Sequence, residues 1–584
     1  MKKYPIDEAE KYIKSMFHNS TDLKVRKFVS FGKINSIAFF FDTIVDTKRA
    51  DREVILQLMH AHLPQNLSQS NAQNTPTNEA GATTPTPASN SAGATCAGTP
   101  NFTSDETDAG TPNLAVGVTS AGTQNETGDF ASAPFVGDAN SKEPPIKNSA
   151  AQNTQSPTRE IFEGADADAV VDYAIENAVI VGQAEAVEDE TELAQKLLNG
   201  FFAVYFENST RVLLVDVKNF QSRAIEEPPT SAVLKGPREG FNESINTNIM
   251  LLRKRVKSQD LVVKQMPIGK YSQTQVAIVY VSSIASSEVV QKVENNIKKI
   301  DIDGIIDSYY VQKALEAREY SLFKQVGSSE KPDVVVAKIL EGRVAVVVDG
   351  TPIVLTVPFL LLEDIQSSND YYFTRSPRVA FLRYLRAFGV LVSIFLPGFY
   401  VALQVYHYKV VPLKFLVTIA NSSQGIPFTP LMEVLFIIIL FEGLTEASLR
   451  MPRYLGLALS IVGALILGET AVNAGLVSPP AVMIVALTGV LIYTVPDQQA
   501  QLSVLRFVFT LVGGTLGLYG MVVFSVFLVG YLCNFDSYST PYLAPIAPNI
   551  PEDKKDAFNR INLSDMKTRP KSIPNKNNKR MGKL

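Results

Sequence analysis

Ala387–Tyr406 runs for 20 residues without a charged side chain. That is enough helix to cross a hydrocarbon core of about 30 Å. Tyr454–Gly468 and Thr470–Pro496 are also charge-free, separated by Glu469, and Phe507–Asn534 adds 28 further uncharged residues. Charged residues make up 19% of the 584-residue chain, against about a quarter in an ordinary soluble protein. Long uncharged runs repeated four times specify an all-α polytopic membrane domain over residues 387–535. A fifth apolar stretch, Leu431–Leu449, is interrupted by Glu433, Glu442 and Glu446. The start of the chain, MKKYPIDEAEKYIK, is too polar for the apolar stretch of a secretory leader.

Basic residues set the expected orientation. Arg375, Arg378, Arg383 and Arg386 stand just before the first apolar run, in an amphipathic juxtamembrane segment over 359–386. The basic tail over 536–584 carries ten Lys/Arg and four acids beyond Pro551. Both flanks are therefore expected on the cytoplasmic side, which requires an even number of crossings. Four full crossings satisfy this if residues 412–449 are re-entrant or interfacial.

Before the membrane block, composition divides the chain again. Residues 1–64 read as the first part of an α/β subdomain, with a strand over Lys33–Phe41 and a helix over Arg49–His62. Residues 65–158 are rich in Ala, Thr, Ser, Asn, Gly and Pro, with AGTPN at Ala97 and Ala109 and AGTQN at Ala121, a twelve-residue step. Too few apolar positions recur there to build a solenoid core, so this is a disordered spacer. The α/β pattern resumes over 159–358. Gly200–Phe206 and Arg211–Val217 form an expected hairpin, and Gly240–Lys257 an amphipathic helix with Phe241, Ile245, Ile249, Leu252 and Val256 on its apolar face. Gln273–Val281 is a strand and Val289–Ile300 a helix. Asp349–Gly350 turns the strand Arg343–Val348 into Ile353–Thr356. The fold class is therefore an α/β soluble domain of two subdomains followed by an all-α membrane domain.

No enzymatic constellation is assembled by these residues. Cys96 and Cys533 are too far apart for a disulfide framework or a paired-cysteine metal site, and four histidines are scattered along the chain. No catalytic group, cofactor or metal site is expected. The charge balance, 54 Lys+Arg against 58 Asp+Glu, does not suit a nucleic-acid binder. GPREG at Gly236–Gly240 precedes a helix but lacks phosphate-loop spacing, and Pro237 removes one donor. A local turn is the simpler reading, with Arg238, Glu239 and Asn242 as soluble-domain interface candidates.

Carboxylates within apolar helices are costly and normally face protein or water. Glu442, Glu446 and Arg450 share one helix stripe at i, i+4, i+8, whereas Glu433 faces differently. The stripe could face an aqueous path or another subunit, or Glu446 could simply neutralise Arg450. Glu433, Glu442, Glu446, Arg450, Glu469 and Asn473 are the channel or subunit-contact candidates. Gly456/Ser460, Ala464/Gly468 and Gly513/Gly517 are spaced to allow close helix contact, within one subunit or between several. Membrane carboxylates and broken segments would also suit a solute transporter acting alone, which should show an internal hydropathy repeat; none is evident.

Several long stretches resemble the A subunit of the GerA-type nutrient germination receptors of spore-forming bacteria. They are EPPTSAVLKGPREGFNESINTNIMLLRKRVK from Glu227, EGRVAVVVDGTPIVLTVP from Glu341, NDYYFTRSPRVAFLRYLR from Asn369, LPGFYVALQVYHYKVVP from Leu396, GIPFTPLMEVLF from Gly425, LGETAVNAGLVSPPAVMIVALT from Leu467 and TPYLAPIAP from Thr540. The resemblance covers about Phe28–Leu63 and Ala194–Pro570. It implies a multi-pass subunit of the inner spore membrane or cell membrane that works with a transporter-like B subunit and a lipoprotein C subunit. It further implies a homo-oligomer in contact with membrane lipid, forming or gating an ion path that links nutrient binding to germination. The family's REGVPFP-like stretch reads SSQGIPFTP from Ser422, and its EILREAG-like stretch reads EGLTEASLR from Glu442, which removes charge there.

Overall fold

The computed structural model describes residues 3–61, 167–180, 183–218, 236–367, 370, 376–450, 466–562 and 565–580. The spacer over 65–158 lies outside the described residues. The soluble part is a duplication. β1 (Leu23–Ser30), β2 (Ile34–Phe41), β3 (Ala184–Val187), β4 (Phe201–Phe206) and β5 (Val212–Asp216) form an antiparallel sheet in the order β1-β2-β4-β5-β3. β6 (Leu261–Ile268), β7 (Thr274–Val281), β8 (Gly327–Ser329), β9 (Val344–Val348) and β10 (Val354–Val357) repeat it as β6-β7-β9-β10-β8. Helices fall at matching places. α1 (Ile6–Met16) precedes the first sheet and α2 (Glu190–Leu198) joins β3 to β4. α3 (Ile245–Arg255) precedes the second sheet; α4 (Ser287–Lys298) and α5 (Ser308–Leu315) follow β7, and α6 (Pro332–Glu341) leads to β9. Helical turns over 47–60 and 167–178 are the first-repeat counterparts of α4 and α5. The first sheet pairs Ser36 with Phe206, so its strands come from both sides of the spacer. The helix expected over Gly240–Lys257 starts only at Ile245, because Asp349 accepts from the Ile245 N–H while Asn242 and Asn248 bond each other in the preceding turn.

Each sheet is sandwiched between apolar helix faces. Ile37, Phe39 and Tyr205 pack under α1 and α2, and Phe40, Phe202 and Leu213 pack under the opposite face. Ile249 and Leu252 of α3 cover one side of the second sheet, while Val293 and Ile297 of α4 cover the other. Burial of such side chains contributes about 1.5–3 kcal/mol each. Arg253, 1% exposed, joins the repeats by pairing with Asp22, which is fully buried. It also lies 4.2 Å from the Phe41 ring centroid.

The tail completes the duplication. In the first repeat, Val45 bridges Lys218 just past β5, and Gly200 allows Lys218 to pass: a Cβ on Gly200 would lie 2.6 Å from Ile44 and 3.1 Å from Lys218. After β10 the second repeat departs toward the helical part. Its missing edge is supplied by the tail, where Asn575 bridges Ala285, and the Lys576 N–H donates to Ile284 O at 2.8 Å. Gly342 makes room as Gly200 does, a Cβ there falling 2.9 Å from Asn575. The basic tail is thus a folded strap over Phe535–Arg580, with Arg569 donating to the Leu340 carbonyl.

The helical part contains α7 (Ser376–Val405), α8 (Leu413–Ser422), α9 (Pro430–Arg450), α10 (Pro479–Ile492) and α11 (Gln499–Cys533). By length and composition two described stretches could cross a membrane, Ser376–Val405 and Pro496–Cys533. α11 is not one straight rod. Gly517 has φ 66° and ψ −159°, and the Phe509 and Phe524 rings on either side of it are 4.9 Å apart. In a straight helix those residues would be about 22 Å apart along the axis. The chain therefore reverses at Gly517, and the expected single span Phe507–Asn534 is instead part of a helical hairpin. A left-handed φ there is open to glycine at little cost. Tyr406, past the end of α7, closes the tip by donating to Thr515 O at 2.7 Å. The expected re-entrant region over 412–449 consists of α8 and a continuous α9 of 21 residues. Residues 451–465, with Gly456, Ser460 and Ala464, lie outside the described residues.

Small residues let α7 and α11 touch backbone to backbone. A Cβ on Gly398 would fall 2.4 Å from Phe509 O, and one on Gly513 would fall 2.4 Å from Gly398 O. The Gly513/Gly517 spacing read from the sequence thus serves contact within this chain.

Candidate functional site

The sequence candidates on α9 divide between two levels of the bundle. Glu433 is 2% exposed and accepts from the Ser478 backbone N–H, while the Ser478 side chain caps α10 by accepting from Ala481 N–H. A carboxylate is well placed there, at the positive end of a helix. About two and a half turns along α9, on another face, Glu442 meets Arg506 of α11, whose Nη2 donates to Glu442 Oε1 at 2.8 Å. Arg506 is 2% exposed whereas the Glu442 side chain is 41% exposed, so the pair spans the edge of the bundle. Glu446 and Arg450 pair with each other at 2.6 Å, both exposed. The stripe is therefore split: Glu442 turns inward to Arg506, and Glu446 neutralises Arg450 along the same helix.

Glu442 and Glu446 line a cleft of about 750 Å³ between α9 and the start of α11. Asp497, Thr445 and Ser503 add polar groups; Ile438, Val504 and Phe507 make its apolar wall. The cleft is mainly apolar and carries three carboxylates, of which Glu442 is paired with the buried Arg506 and Glu446 with the exposed Arg450. Glu469 and Asn473 are exposed, four positions apart in the turns preceding α10, and are not brought to this cleft.

The cleft borders the junction with the soluble part. Gln498, at the start of α11, donates to Asp364 at 3.2 Å, and Lys324 lies 3.6 Å from the same carboxylate. Burial pushes Asp364 up to about 6, against the pull of Lys324 and with the help of nearby Asp497. Glu363 beside it is held down at about 2 because Arg343 and Lys338 outweigh its burial. Deeper in the junction, Arg383 of α7 is fully buried and donates to Asp556 O at 3.0 Å and to Ala557 O at 2.7 Å. Arg383 and Arg386 converge on Asp370, 1% exposed, and Arg560 of the tail donates to the Asp370 carbonyl. Burial works to raise Asp370, but the Arg386 hydrogen bond leads the groups that hold it below the ordinary carboxylate range. Two of the four arginines read as orientation markers, Arg383 and Arg386, thus clamp α7, the segment before it and the tail together.

The soluble candidates have local partners. Glu239 pairs with Lys254 at 2.7 Å and Arg255 at 2.6 Å. The Asn242 backbone exchanges hydrogen bonds with the Asn248 side chain, and Arg238 is exposed. Sequence reasoning missed Arg506, which stands one residue before the uncharged run that begins at Phe507. No group of His, Cys, Asp or Glu suited to a metal is present among the described residues.

Comparison with known proteins places the chain. The family model "Bacillus/Clostridium GerA spore germination protein" matches residues 142–572. Spore germination protein KA of Bacillus subtilis (strain 168) is 35% identical over 411 residues, covering 70% of this chain and 75% of that protein. An uncharacterized membrane protein of the same organism, YfkQ, is 36% identical over 68% of this chain and 78% of its own. Spore germination protein GerLA of Bacillus cereus is 31% identical over 70% of this chain and 83% of its own. The crystal structure of the N-terminal domain of the A subunit of the Bacillus megaterium spore germinant receptor GerK3 aligns at 21% identity and TM-score 0.35, covering 62% of this chain and 96% of that one. With a matched family model over most of its length and relatives above 30% identity, the chain belongs to the GerA family of spore germination proteins.

Proposed function

We propose that the chain is the integral-membrane A subunit of a nutrient germinant receptor. It sits in the inner spore membrane with both ends cytoplasmic and works with a transporter-like B subunit and a lipoprotein C subunit. Nutrient binding on the partner is transmitted through the Asp364 and Asp370 junctions to the helical bundle. The bundle, alone or as a homo-oligomer, forms or gates an ion-conducting path past Glu442 and Glu446. The observation that carries this reading is the acidic cleft, held by a single buried arginine and bordered by the soluble domain's junction. Ionisable groups inside an apolar bundle are kept where ions or conformational switching need them. The start of α7, held to the tail through Arg383, and the end of α11, held to the soluble part through Arg318, lie on the same side of the bundle, which supports an even crossing count. The test is to tag the chain, solubilise spore membranes and identify what co-purifies. A multi-span transporter-like protein and a lipoprotein should accompany it in fixed ratio. Saturable substrate uptake by the purified chain alone in liposomes would instead make it a transporter.

A further inference from the structure

The loop between α5 and β8, residues 316–326, is where the two repeats differ most clearly among the described residues. Its first-repeat counterpart is confined to 179–183, between the helical turn ending at Ala178 and β3. The longer loop is built as a rigid piece. Gln325, 3% exposed, accepts from the Arg318 N–H at 2.9 Å and donates back to Arg318 O at 2.6 Å. It is also fastened to the last turn of α11. Arg318 donates to Asn534 O at 2.6 Å and stacks on the Tyr531 and Phe535 rings; the Tyr531 hydroxyl donates to Ser321 at 3.1 Å. Phe323 packs against the apolar cluster that α7 and α11 share and against the Phe359–Phe535–Tyr542 cluster, its ring 6.0 Å from that of Tyr531. Despite all these anchors, Tyr320 at the tip is 96% exposed and Leu322 is 39% exposed.

We infer that this loop is a membrane-interface anchor, with Tyr320 and Leu322 seated at the headgroup–acyl boundary of the bilayer that holds α7 and α11. The inference rests on the membrane reading above. Continuity carries it: the loop is tied to Tyr531, and α11 presents Val526, Phe527 and Val529, 68%, 71% and 54% exposed, along the turns just before Tyr531. Under that membrane reading this apolar helix face meets lipid, and whatever lies level with its end meets the headgroup region. Tyrosine suits that layer because its ring is apolar and its hydroxyl is wet. A loop so fixed would set the height and tilt of the second repeat over the bundle, and so the geometry of the Asp364 junction.

The test uses the full chain with Cys96 and Cys533 replaced by Ser, reconstituted in phosphatidylcholine–phosphatidylglycerol vesicles. A nitrobenzoxadiazole label is placed at Tyr320→Cys, with Phe527→Cys as the bilayer reference and Tyr271→Cys, 84% exposed on the β6–β7 turn, as the water reference. The label at 320 should emit to the blue of that at 271. Lipids spin-labelled near the headgroup should quench it several-fold more, and iodide several-fold less. Emission and quenching like those at 271, with 527 quenched by lipid, overturn the anchor alone. Shielding from iodide without lipid quenching means that protein covers the loop, which also overturns it. A label at 527 that lipid does not quench overturns both the anchor and the membrane reading.

Discussion

Arg506, 2% exposed on α11, donates to Glu442 on α9 at 2.8 Å, while its Nε and Nη1 have no partner among the described residues. A buried cation held by one carboxylate is sensitive to loss of that carboxylate. Glu442→Gln should destabilise the detergent-solubilised chain by about 1–3 kcal/mol. Adding Arg506→Met should recover much of the loss, because the unpaired charge goes with it. Thermal unfolding of both variants checks this; additive losses would mean that the two residues are not coupled.

Asp364 gives the junction a pH dependence of definite sign. Its carboxyl sits at about 6 in the folded chain against a reference of 3.8, so between those values the folded state holds more protons than the unfolded one. Stability from this group is then present in full below the unfolded value and is lost as pH rises through 6, by about 3 kcal/mol in all. Between pH 4 and 6.5, Asp364→Asn should remove that downward contribution, measured as the difference between the two unfolding profiles. Parallel profiles would contradict the assignment.

Arg383 ties α7 to the tail through Asp556 and Ala557 while sharing Asp370 with Arg386. Arg383→Met leaves Asp370 with Arg386 but frees the strap, at a cost of about 3–5 kcal/mol. Hydrogen exchange should rise across residues 553–580, with smaller changes in β1–β5. Unchanged protection of the tail would show that Asn575 and Arg569 hold it without the clamp.

Gly398 and Gly513 lie where α7 and α11 meet backbone to backbone, whereas Gly443 and Gly530 face open space. Gly398→Ala and Gly513→Ala should each lower stability by about 1–3 kcal/mol, the range of overpacking. Gly443→Ala and Gly530→Ala should be neutral or slightly stabilising in their helices. Melting temperatures of the four variants separate the two classes.

The sequence made some of this plain and hid the rest for physical reasons. Asp349–Gly350 marked the β9–β10 hairpin because tight turns admit few residue types. The apolar face of α3 was legible since Ile249 and Leu252 recur at helical spacing. β1 was missed, as LKVRKFVS carries charges on its exposed positions. The duplication was missed because equivalent places hold different residues: Lys218 closes one edge and Asn575, far along the chain, closes the other. Hydropathy cannot register a reversal inside an uninterrupted apolar run, so Gly517 passed as an ordinary small residue. Glu442 was found by its cost within an apolar helix; its partner Arg506 was not, because pairing depends on how α9 and α11 pack.

The most direct test of the central account is nutrient-triggered cation release from spores that keep this receptor and lack others. With a mixture of L-amino acids, nucleosides and sugars, spores carrying the wild-type chain should release cations and germinate. Spores carrying Glu442→Gln together with Glu446→Gln should release cations markedly more slowly per copy of the chain present in the spore membrane. Unchanged release from that variant would remove the acidic cleft from the ion path.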